Sequence, residues 1–158
     1  LSDWLRSESP HPDSLSRLES PVTADLSLLA VEGGGCLPRP ERLRALGQIL
    51  REDRRNIVVD MGRLAQPGVP LIQAMDHSYL VTRPCYLAVR AASTGPRPDG
   101  IVLVSERGRP LTARDISAAV AAPVVVQLHT DPSVARSVDA GLLSTRLPRS
   151  LRPLEQLL

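Results

Sequence analysis

The sequence contains no lysine, because all 19 of its basic residues are arginine. A Schiff-base enzyme, a Ser-Lys hydrolase and a complete Walker A phosphate loop each need a lysine, so these residues alone encode none of them. Phenylalanine is also absent, and aromatic residues make up only 2% of the chain. The core must therefore be built from leucine, isoleucine, valine and alanine. A binder that stacks aromatic rings on nucleic-acid bases is disfavoured.

Strong charge and long apolar runs are missing as well. The formal net charge is +2, which gives little electrostatic reason to expect nucleic-acid binding. The two cysteines, Cys36 and Cys85, lie far apart without the spacing of metal ligands, so we expect reduced thiols of a cytoplasmic protein. No apolar run has the length of a membrane span, and no signal-peptide pattern is visible.

Apolar runs alternate with helix-like segments along the 158 residues. This alternation predicts an α/β fold of three layers, with a mainly parallel sheet of about five strands and helices on both faces. We expect a single domain over 1–158, with 1–21 as a loop-rich lead-in. The predicted strands are Leu26 to Val31, Asn56 to Asp60, His77 to Thr82, Gly100 to Val104 and Pro123 to Leu128.

Helix patterns fill the intervals between these runs. Pro38 to Asp53 reads as an amphipathic helix with Leu43, Leu46 and Leu50 on one face. Thr112 is a good N-cap for the helix that follows it. In parallel sheets of this kind, ligands bind beyond the carboxyl ends of the strands. The candidate site residues are therefore sought at those strand ends.

Asp60 is the first candidate, because it ends the apolar run of RNIVVDMGR at residues 55–63. An aspartate in this place can hydrogen-bond a water molecule on Mg²⁺, and Gly62 would let the backbone approach a γ-phosphate. The alternative is that Asp60 caps the loop that follows it, as strand-end aspartates often do.

The phrase HTDP, His129 to Pro132, is the second candidate, because it joins a predicted strand to a helix N-terminus. Such termini attract anions and polar ligand groups. Asp131 is more simply explained as the N-cap of that helix, with Pro132 at the first helical position. His129 has no indicated nucleophilic partner.

Three further features have a simple and a functional interpretation. Gly33 to Gly35 lack the GxxxxGK[ST] pattern, so we predict a flexible connection rather than a phosphate cradle. Arg83 could reach a phosphate or a dimer partner, although a solvated or ion-paired arginine is the default. The amphipathic tail is expected to dock on the domain rather than lie on a membrane. Its apolar face consists of Leu147, Leu151, Leu154 and Leu158, flanked by Arg146, Arg149 and Arg152.

An ordered series of phrases resembles the C-terminal two-thirds of the ParA/MinD-type ATPases, the deviant Walker A class of P-loop proteins. Within that class the CpaE/TadZ-like proteins are the most similar. No single phrase is highly specific, but the order and spacing agree over nearly the whole chain. The phrases are LSDWL, LSLLAVEGG, PERLRALGQILREDRRNIVVDMGR, HSYLVTRPCYLAVRAA and GIVLVSERGRPLTARDISAAVAAPVVVQLHTDPSVARSVDAG.

The resemblance implies a role for each matching residue. Asp60 corresponds to the Walker B acid that holds a water on Mg²⁺, and Gly62 to the switch backbone near the γ-phosphate. The loop beside the nucleotide base corresponds to His129, Thr130, Asp131 and Pro132. The implied cofactors of the parent protein are ATP and magnesium. The implied partners are a second copy in a homodimer, an activating protein and a DNA or membrane surface.

The departures from the family pattern are as informative as the match. The phosphate loop with its signature lysine, the catalytic lysine and the switch I aspartate are not in the matching phrases. Ser105 stands where an adenine-contacting asparagine is frequent. We therefore expect that this chain alone neither binds ATP tightly nor hydrolyses it. Because Leu1 falls within the phrase LSDWL, we expect a fragment of a bacterial, cytoplasmic ATPase for intracellular positioning of a chromosome, plasmid, septum or pilus.

Three alternatives remain open at this point. The first is a non-enzymatic pseudo-ATPase module that recruits other proteins to a site in the cell. The second is a receiver-like domain, against which the absence of lysine counts. The third is a small α/β hydrolase, which would need the GxSxG phrase that this sequence lacks. In the resembling family, the strand before the phosphate loop lies inside the sheet, and it too is not in the matching phrases. A sheet without this interior strand would expose apolar edges, so we expect marginal stability or oligomerisation.

Overall fold

The structure is a computed structural model that describes residues 1–7, 11–31, 38–63 and 69–157. Its contacts divide the chain into two compact units, Leu1–Asp76 and His77–Leu158. We call them the first and the second unit and describe each by itself. The single domain expected over 1–158 stays a prediction.

The first unit is mainly helical. Its helices are α1 (Ser2–Arg6), α2 (Pro40–Glu52) and α3 (Val69–Ile72), with 3₁₀ turns at Pro12–Ser14 and Ser16–Leu18. Two short strands, β1 (Ser20–Pro21) and β2 (Ser27–Leu28), pair antiparallel. Pro40 begins α2 because its fixed φ suits the first helical turn and its missing N–H is not needed there.

The core of the first unit lies on the predicted face of α2. Leu43 and Leu46 are buried and Leu50 packs beside them, which confirms the predicted amphipathic face. Gly47 lets α3 and its following turn approach closely, since a Cβ there would lie 2.5 Å from Cβ of Ala74. The other buried members of this core are Trp4, Leu5, Leu15 and Leu71.

Two of the predicted strands differ from the structure. From 26–31, only Ser27–Leu28 forms a strand, and it pairs antiparallel with β1. The segment 56–60 belongs to no helix or strand and pairs with no strand among the described residues. Its side chains alternate as in a strand, with Val59 packed on the core and Val58 84% exposed. Burial along this segment therefore alternates as in a strand, but a ladder also needs a neighbouring strand.

The second unit contains the parallel sheet. Its elements in chain order are β3 (Tyr79–Thr82), α4 (Tyr86–Ala92), β4 (Gly100–Ser105), α5 (Ala113–Val120), β5 (Val124–His129), α6 (Pro132–Asp139) and a 3₁₀ segment at Arg149–Leu157. The strand order is β3-β4-β5, and both pairings are parallel. This confirms the predicted α/β class, with three of the expected strands in the sheet. The continuous apolar run of β4 fits a strand that is covered on both faces, whereas burial alternates along β5, with Val126 and Leu128 buried.

Each face of this sheet carries its own apolar cluster. One cluster joins Ile101 and Leu103 of β4 to Ile116 and Val120 of α5. The opposite cluster consists of Val102, Val126 and Leu128. This arrangement follows from the strand geometry, since successive side chains point to opposite sides of the sheet.

The C-terminal segment covers the second of these clusters. Leu151, Leu154 and Leu157 of the 3₁₀ segment pack on Val126 and its neighbours. The prediction that the tail docks on its own unit is therefore confirmed. Leu147, by contrast, is 45% exposed, and Leu158 lies outside the described residues. Among the described residues, no helix has the length and apolar character needed to cross a bilayer.

Candidate functional site

A cavity opens at the carboxyl ends of β4 and β5 in the second unit. The last residues of these strands, Ser105 and His129, are register partners, so their side chains lie next to each other. The cavity has a volume of about 340 Å³ and extends from these residues to the start of α5. The polar side chains that line it and bear on its chemistry are Ser105, Glu106, Arg107, Arg109, Gln127 and His129.

The floor of the cavity is built by strand periodicity. Gln127 and His129 are two residues apart on β5 and therefore point to the same face of the sheet. The Gln127 side chain donates a hydrogen bond from Nε2 to Oγ of Ser105 over 2.8 Å. This arrangement presents hydroxyl, amide and imidazole groups together. They can hydrogen-bond the polar edge of a small ligand.

The wall of the cavity is held by the start of α5. Thr112 is the N-cap, as predicted, and its hydroxyl accepts a hydrogen bond from the backbone N–H of Asp115 over 3.3 Å. The Asp115 carboxylate in return accepts from the backbone N–H of Thr112 over 2.8 Å. Hydrogen bonds to this carboxylate from the Thr112 hydroxyl, over 2.7 Å, and then from the Thr112 backbone N–H hold the pKa of Asp115 below its ordinary value. The reciprocal pair fixes the first turn of α5 beside the cavity.

A carboxylate clamped between two arginines lies at the rim. Arg83, which follows β3, donates from Nη1 to Oε1 of Glu106 over 3.0 Å. Arg109 donates from Nε to the other oxygen, Oε2, over 2.8 Å. Hydrogen bonds from Arg109 and then Arg83 lower the pKa of Glu106. Of the two interpretations of Arg83, the structure gives the ion pair.

The predicted base-side residues divide into two groups. His129 lines the cavity, whereas Thr130, Asp131 and Pro132 are not among its lining residues. The backbone N–H of Thr130 donates to the carbonyl of Ser105 over 3.1 Å and continues the strand pairing by one residue. A role of these four residues beside a nucleotide base stays a prediction.

Asp131 is the N-cap of α6, as predicted. Its Oδ1 accepts from the backbone N–H of Ser133 over 2.8 Å, and its Oδ2 accepts from the hydroxyls of Ser133 and Ser150 over 2.6 and 2.7 Å. The bonds from the Ser133 and Ser150 side chains lower its pKa to about 2. The carboxylate therefore both starts α6 and ties the C-terminal segment to it.

Asp60 and Gly62 come together in the first unit as a loop cap. The backbone N–H of Gly62 donates to Oδ1 of Asp60 over 2.7 Å, and Gly62 adopts a φ of +61°. This is the capping interpretation of Asp60, and it leaves Oδ2 without a hydrogen bond in the described part of the chain. A residue with a side chain would be strained at the φ of Gly62.

The surroundings of Asp60 limit how it could hold magnesium. The described residues contain no group of three or more histidine, cysteine, aspartate or glutamate side chains placed to bind a metal ion. Mg²⁺ at nucleotide sites is held by one or two carboxylates together with waters and substrate phosphates. Asp60 fits such a site only through a water molecule and only with phosphate oxygens from a bound nucleotide. Its magnesium role stays a prediction, and the glycines at 33–35 lie outside the described residues.

Among the polar lining residues, Glu106, Arg107, Arg109 and Gln127 are not named as candidates in the sequence. Gln127 has a sequence signal, because it lies two residues before His129 on a predicted strand and must share its face. Arg109 reaches Glu106 through the turn at Gly108, whose φ is +78°. A turn in SERGR can be expected from its glycine, but the partner of each charge cannot.

Comparison with known proteins gives a structural match. No protein-family model matches the sequence, and no curated protein matches it. The crystal structure of a ParA family ATPase from Chlorobium tepidum TLS aligns with a TM-score of 0.65 at 20% sequence identity. The alignment covers 94% of this chain and 67% of that protein. At this identity the likeness establishes the fold, so the chain has the fold of a ParA family ATPase. The resemblance to the CpaE/TadZ-like proteins in particular stays a prediction.

Proposed function

We propose that this chain is the C-terminal part of a ParA/MinD-like ATPase that positions a cargo inside a bacterial cell. The observation that carries the proposal is the alignment with the ParA family ATPase over 94% of the chain. The matching phrases of the sequence add residue-level support, because they place Asp60 and His129 at positions that contact magnesium water and nucleotide in that family. The cargo stays open between chromosome, plasmid, septum and pilus.

The cavity of the second unit supports the nucleotide side of the proposal. Its volume of about 340 Å³ lies within the usual range for small-molecule pockets. Ser105, Gln127 and His129 supply hydrogen-bonding groups on its floor, while Leu103 and Leu111 supply apolar surface. A purine base needs this combination, since its faces are apolar and its edge carries donors and acceptors.

Asp60 would bind a water molecule of the magnesium ion that accompanies ATP. Its Oδ1 is engaged by Gly62, and its Oδ2 is available to accept a hydrogen bond from a magnesium-bound water. Magnesium bound through that water would supply positive charge beside the phosphates of ATP. Gly62, in its left-handed conformation, would bring its backbone near the phosphates. The carboxylate thus orients one water and holds the loop.

The phosphates need a group that these residues do not encode. In the resembling family a lysine of the glycine-rich loop binds them, and none of the 19 basic residues here is lysine. We therefore propose that ATP hydrolysis depends on a lysine outside these 158 residues. In the full assembly, two copies would dimerise around ATP, bind DNA or a membrane surface, and let go when an activating protein stimulates hydrolysis.

The alternative function is a non-enzymatic pseudo-ATPase module that recruits partner proteins to one place in the cell. The absence of lysine favours it, because such a module has no use for a phosphate loop. The two functions differ in one respect that can be measured. The ATPase needs Asp60 for turnover, whereas the module does not turn over ATP at all.

Titration with adenosine tests the base-binding part of the proposal without involving phosphates. We expect weak, saturable chemical-shift changes in ¹⁵N NMR spectra at Ser105, Gln127 and His129, because these side chains form the cavity floor. His129→Ala should abolish them. Asp139→Ala, an exposed change in the same unit outside the cavity, should leave them intact. Shifts that spare the cavity floor, or that survive His129→Ala, would overturn the base site.

A further inference from the structure

The rim of the cavity carries more positive charge than the proposed base site needs. Arg107 and Arg109 both line the cavity, and Arg83 lies against its rim through Glu106. Glu106 is the one acidic side chain among the lining residues. The rim therefore has three guanidinium groups and one carboxylate, so its formal charge is positive.

Arg107 is the cation of this group whose charge is not engaged. It is exposed, and within the described part of the chain it makes no hydrogen bond or ion pair, in contrast to Arg83 and Arg109. An arginine presents several N–H donors in a planar fork that matches the oxygens of carboxylates and phosphates. Arg107 thus offers donors to a ligand at no loss of an existing contact.

The positive field extends beyond the ion pairs. The pKa of the nearby Cys85 thiol is lowered, chiefly by hydrogen bonds from the backbone N–H groups of Ala88 and Leu87. The charges of Arg109 and Arg83 contribute to the same lowering, although both arginines are paired with Glu106. These two arginines therefore act electrostatically on a group outside their ion pairs with Glu106.

The position of Glu106 resembles that of a bound oxyanion. One of its oxygens accepts from Arg83 over 3.0 Å and the other from Arg109 over 2.8 Å. The two arginines come from loops that follow different strands, so the carboxylate bridges them. Paired arginines hold a phosphate in the same way, with charge-assisted bonds to separate oxygens.

We propose that this rim is a binding site for a phosphate-bearing small molecule, in which Arg107 and Arg109 bind the phosphate and Glu106 is a competing carboxylate of the chain itself. An entering phosphate takes Arg109 from Glu106 and adds the unengaged Arg107. The site goes beyond the proposed function, because it stands whether or not a nucleotide base binds at His129. The site belongs to the second unit, whereas Asp60, which the proposed function assigns to a magnesium-bound water, belongs to the first.

The proposal and a purely structural role of Glu106 predict opposite changes in phosphate affinity for Glu106→Gln. If Glu106 competes with the ligand, Glu106→Gln removes the competitor and phosphate binds more tightly. If Glu106 only holds the loop in place, the same change loosens the loop, and phosphate binding weakens or stays the same. Arg107→Ala weakens binding only under the proposal, since Arg107 supports no contact in the described structure.

The test is a titration of the ¹⁵N-labelled chain with inorganic phosphate and, in a second arm, ribose 5-phosphate, at constant ionic strength. We expect Arg107→Ala to bind phosphate roughly tenfold more weakly than wild type, as the loss of one charge-assisted hydrogen bond implies. We expect Glu106→Gln to bind phosphate roughly tenfold more tightly, because the competing carboxylate is removed. Arg114→Ala is the matched control, because Arg114 is exposed on α5 and does not line the cavity. It should change the dissociation constant by less than about twofold.

Either of two results would overturn the site. One is a Glu106→Gln variant that keeps the wild-type amide spectrum and binds phosphate no more tightly. The other is an Arg107→Ala variant that is indistinguishable from Arg114→Ala, a comparison that holds even if Glu106→Gln fails to fold. Comparison of the two arms identifies the ligand. Tighter binding of ribose 5-phosphate points to a sugar phosphate, and equal binding points to the free anion.

Discussion

Similar apolar runs form paired strands in the second unit but not in the first. In the second unit, β4 and β5 are paired along their length, and apolar clusters cover both faces of the sheet. In the first unit, 56–60 has the same kind of composition, yet belongs to no strand and pairs with none in the described ranges. The difference shows that an apolar run determines which side chains become buried, while the ladder depends on a neighbour that supplies backbone donors and acceptors.

The charges of the two units are arranged in opposite ways. In the first unit, one arginine, Arg55, bridges Glu19 and Asp53 over 2.7 Å each. In the second, one acid, Glu106, bridges two arginines. Acidic residues outnumber arginines within 1–76, and arginines outnumber acidic residues within 77–158. The second unit is therefore the one suited to anionic ligands, and the first carries the acid expected beside magnesium.

The largest predicted effect separates a buried strand residue from an exposed one. Ile101→Ala should lower the free energy of unfolding by about 2–5 kcal/mol, because Ile101 is 0% exposed and its removal leaves a cavity. Val58→Ala should change it by less than about 0.5 kcal/mol, since Val58 is 84% exposed. Urea denaturation measures both. A loss of several kcal/mol in Val58→Ala would mean that 56–60 is a buried, paired strand.

The next prediction concerns the loss of stability when a closely packed glycine in each unit is replaced by alanine. A Cβ on Gly47 would lie 2.5 Å from Cβ of Ala74, and one on Gly100 would lie 2.8 Å from Cγ2 of Val125. Gly47→Ala and Gly100→Ala should each destabilise by about 1–3 kcal/mol through overpacking, although Gly47 lies in a helix where alanine is otherwise favoured. Thermal unfolding followed by circular dichroism measures the change. A stabilised Gly47→Ala variant would show that α2 and the turn after α3 do not pack closely.

A smaller effect concerns helix caps. α5 has a capping box at Thr112, whereas Arg39 at the start of α2 makes no capping hydrogen bond through its side chain. Thr112→Ala should lower the free energy of unfolding by about 0.5–2 kcal/mol, and Arg39→Ser should raise it by up to about 1 kcal/mol. Chemical denaturation tests the pair. The interpretation fails if the two substitutions change stability in the same direction.

The smallest effect is a pH dependence of the C-terminal segment. Asp131 accepts from Ser150, and its pKa in the folded chain is about 2, below the ordinary value of 3.8. A lowered pKa means that the bond contributes fully above the ordinary value and is lost as the pH falls through the folded value. We therefore expect the amide signals of Ser150 and Leu151 to shift between about pH 4 and pH 2.

A matched variant isolates this contribution of Asp131. Asp131→Asn has no carboxylate to titrate, so the shift at Ser150 and Leu151 should disappear in it. Asp115→Asn, which alters a cap on the other helix, should leave the shift in place. If the wild-type signals stay constant over this pH range, Asp131 does not hold the tail.

Much of the second unit could be predicted from the sequence. Its three parallel strands follow from continuous apolar runs, and its caps at Thr112 and Asp131 follow from a side-chain oxygen placed before a helix. Both signals are local and lie within a few residues. The docking of the tail also followed, because one row of leucines needs an apolar surface to cover.

The parts that could not be predicted depend on distant partners. Whether 56–60 forms a ladder depends on a neighbouring strand, and the apolar pattern of 56–60 does not identify that strand. The ion pairs of Glu106 include one with Arg83, which is 23 residues away along the chain. A sequence shows that charges are present at strand ends, but ion pairs between loops arise only from the sheet order that brings those loops together.

ATP turnover by the native protein, purified from its source cells, shows whether Asp60 serves ATP hydrolysis. It is measured beside the 158-residue chain, with Asp60→Ala made in each and Asp76→Ala as the exposed control in the same unit. We expect turnover by the native protein, its loss in Asp60→Ala but not in Asp76→Ala, and none by the 158-residue chain. Turnover by the 158-residue chain, or native turnover that survives Asp60→Ala, would refute the proposed role of Asp60. A native protein without turnover would favour the recruitment module over the ATPase.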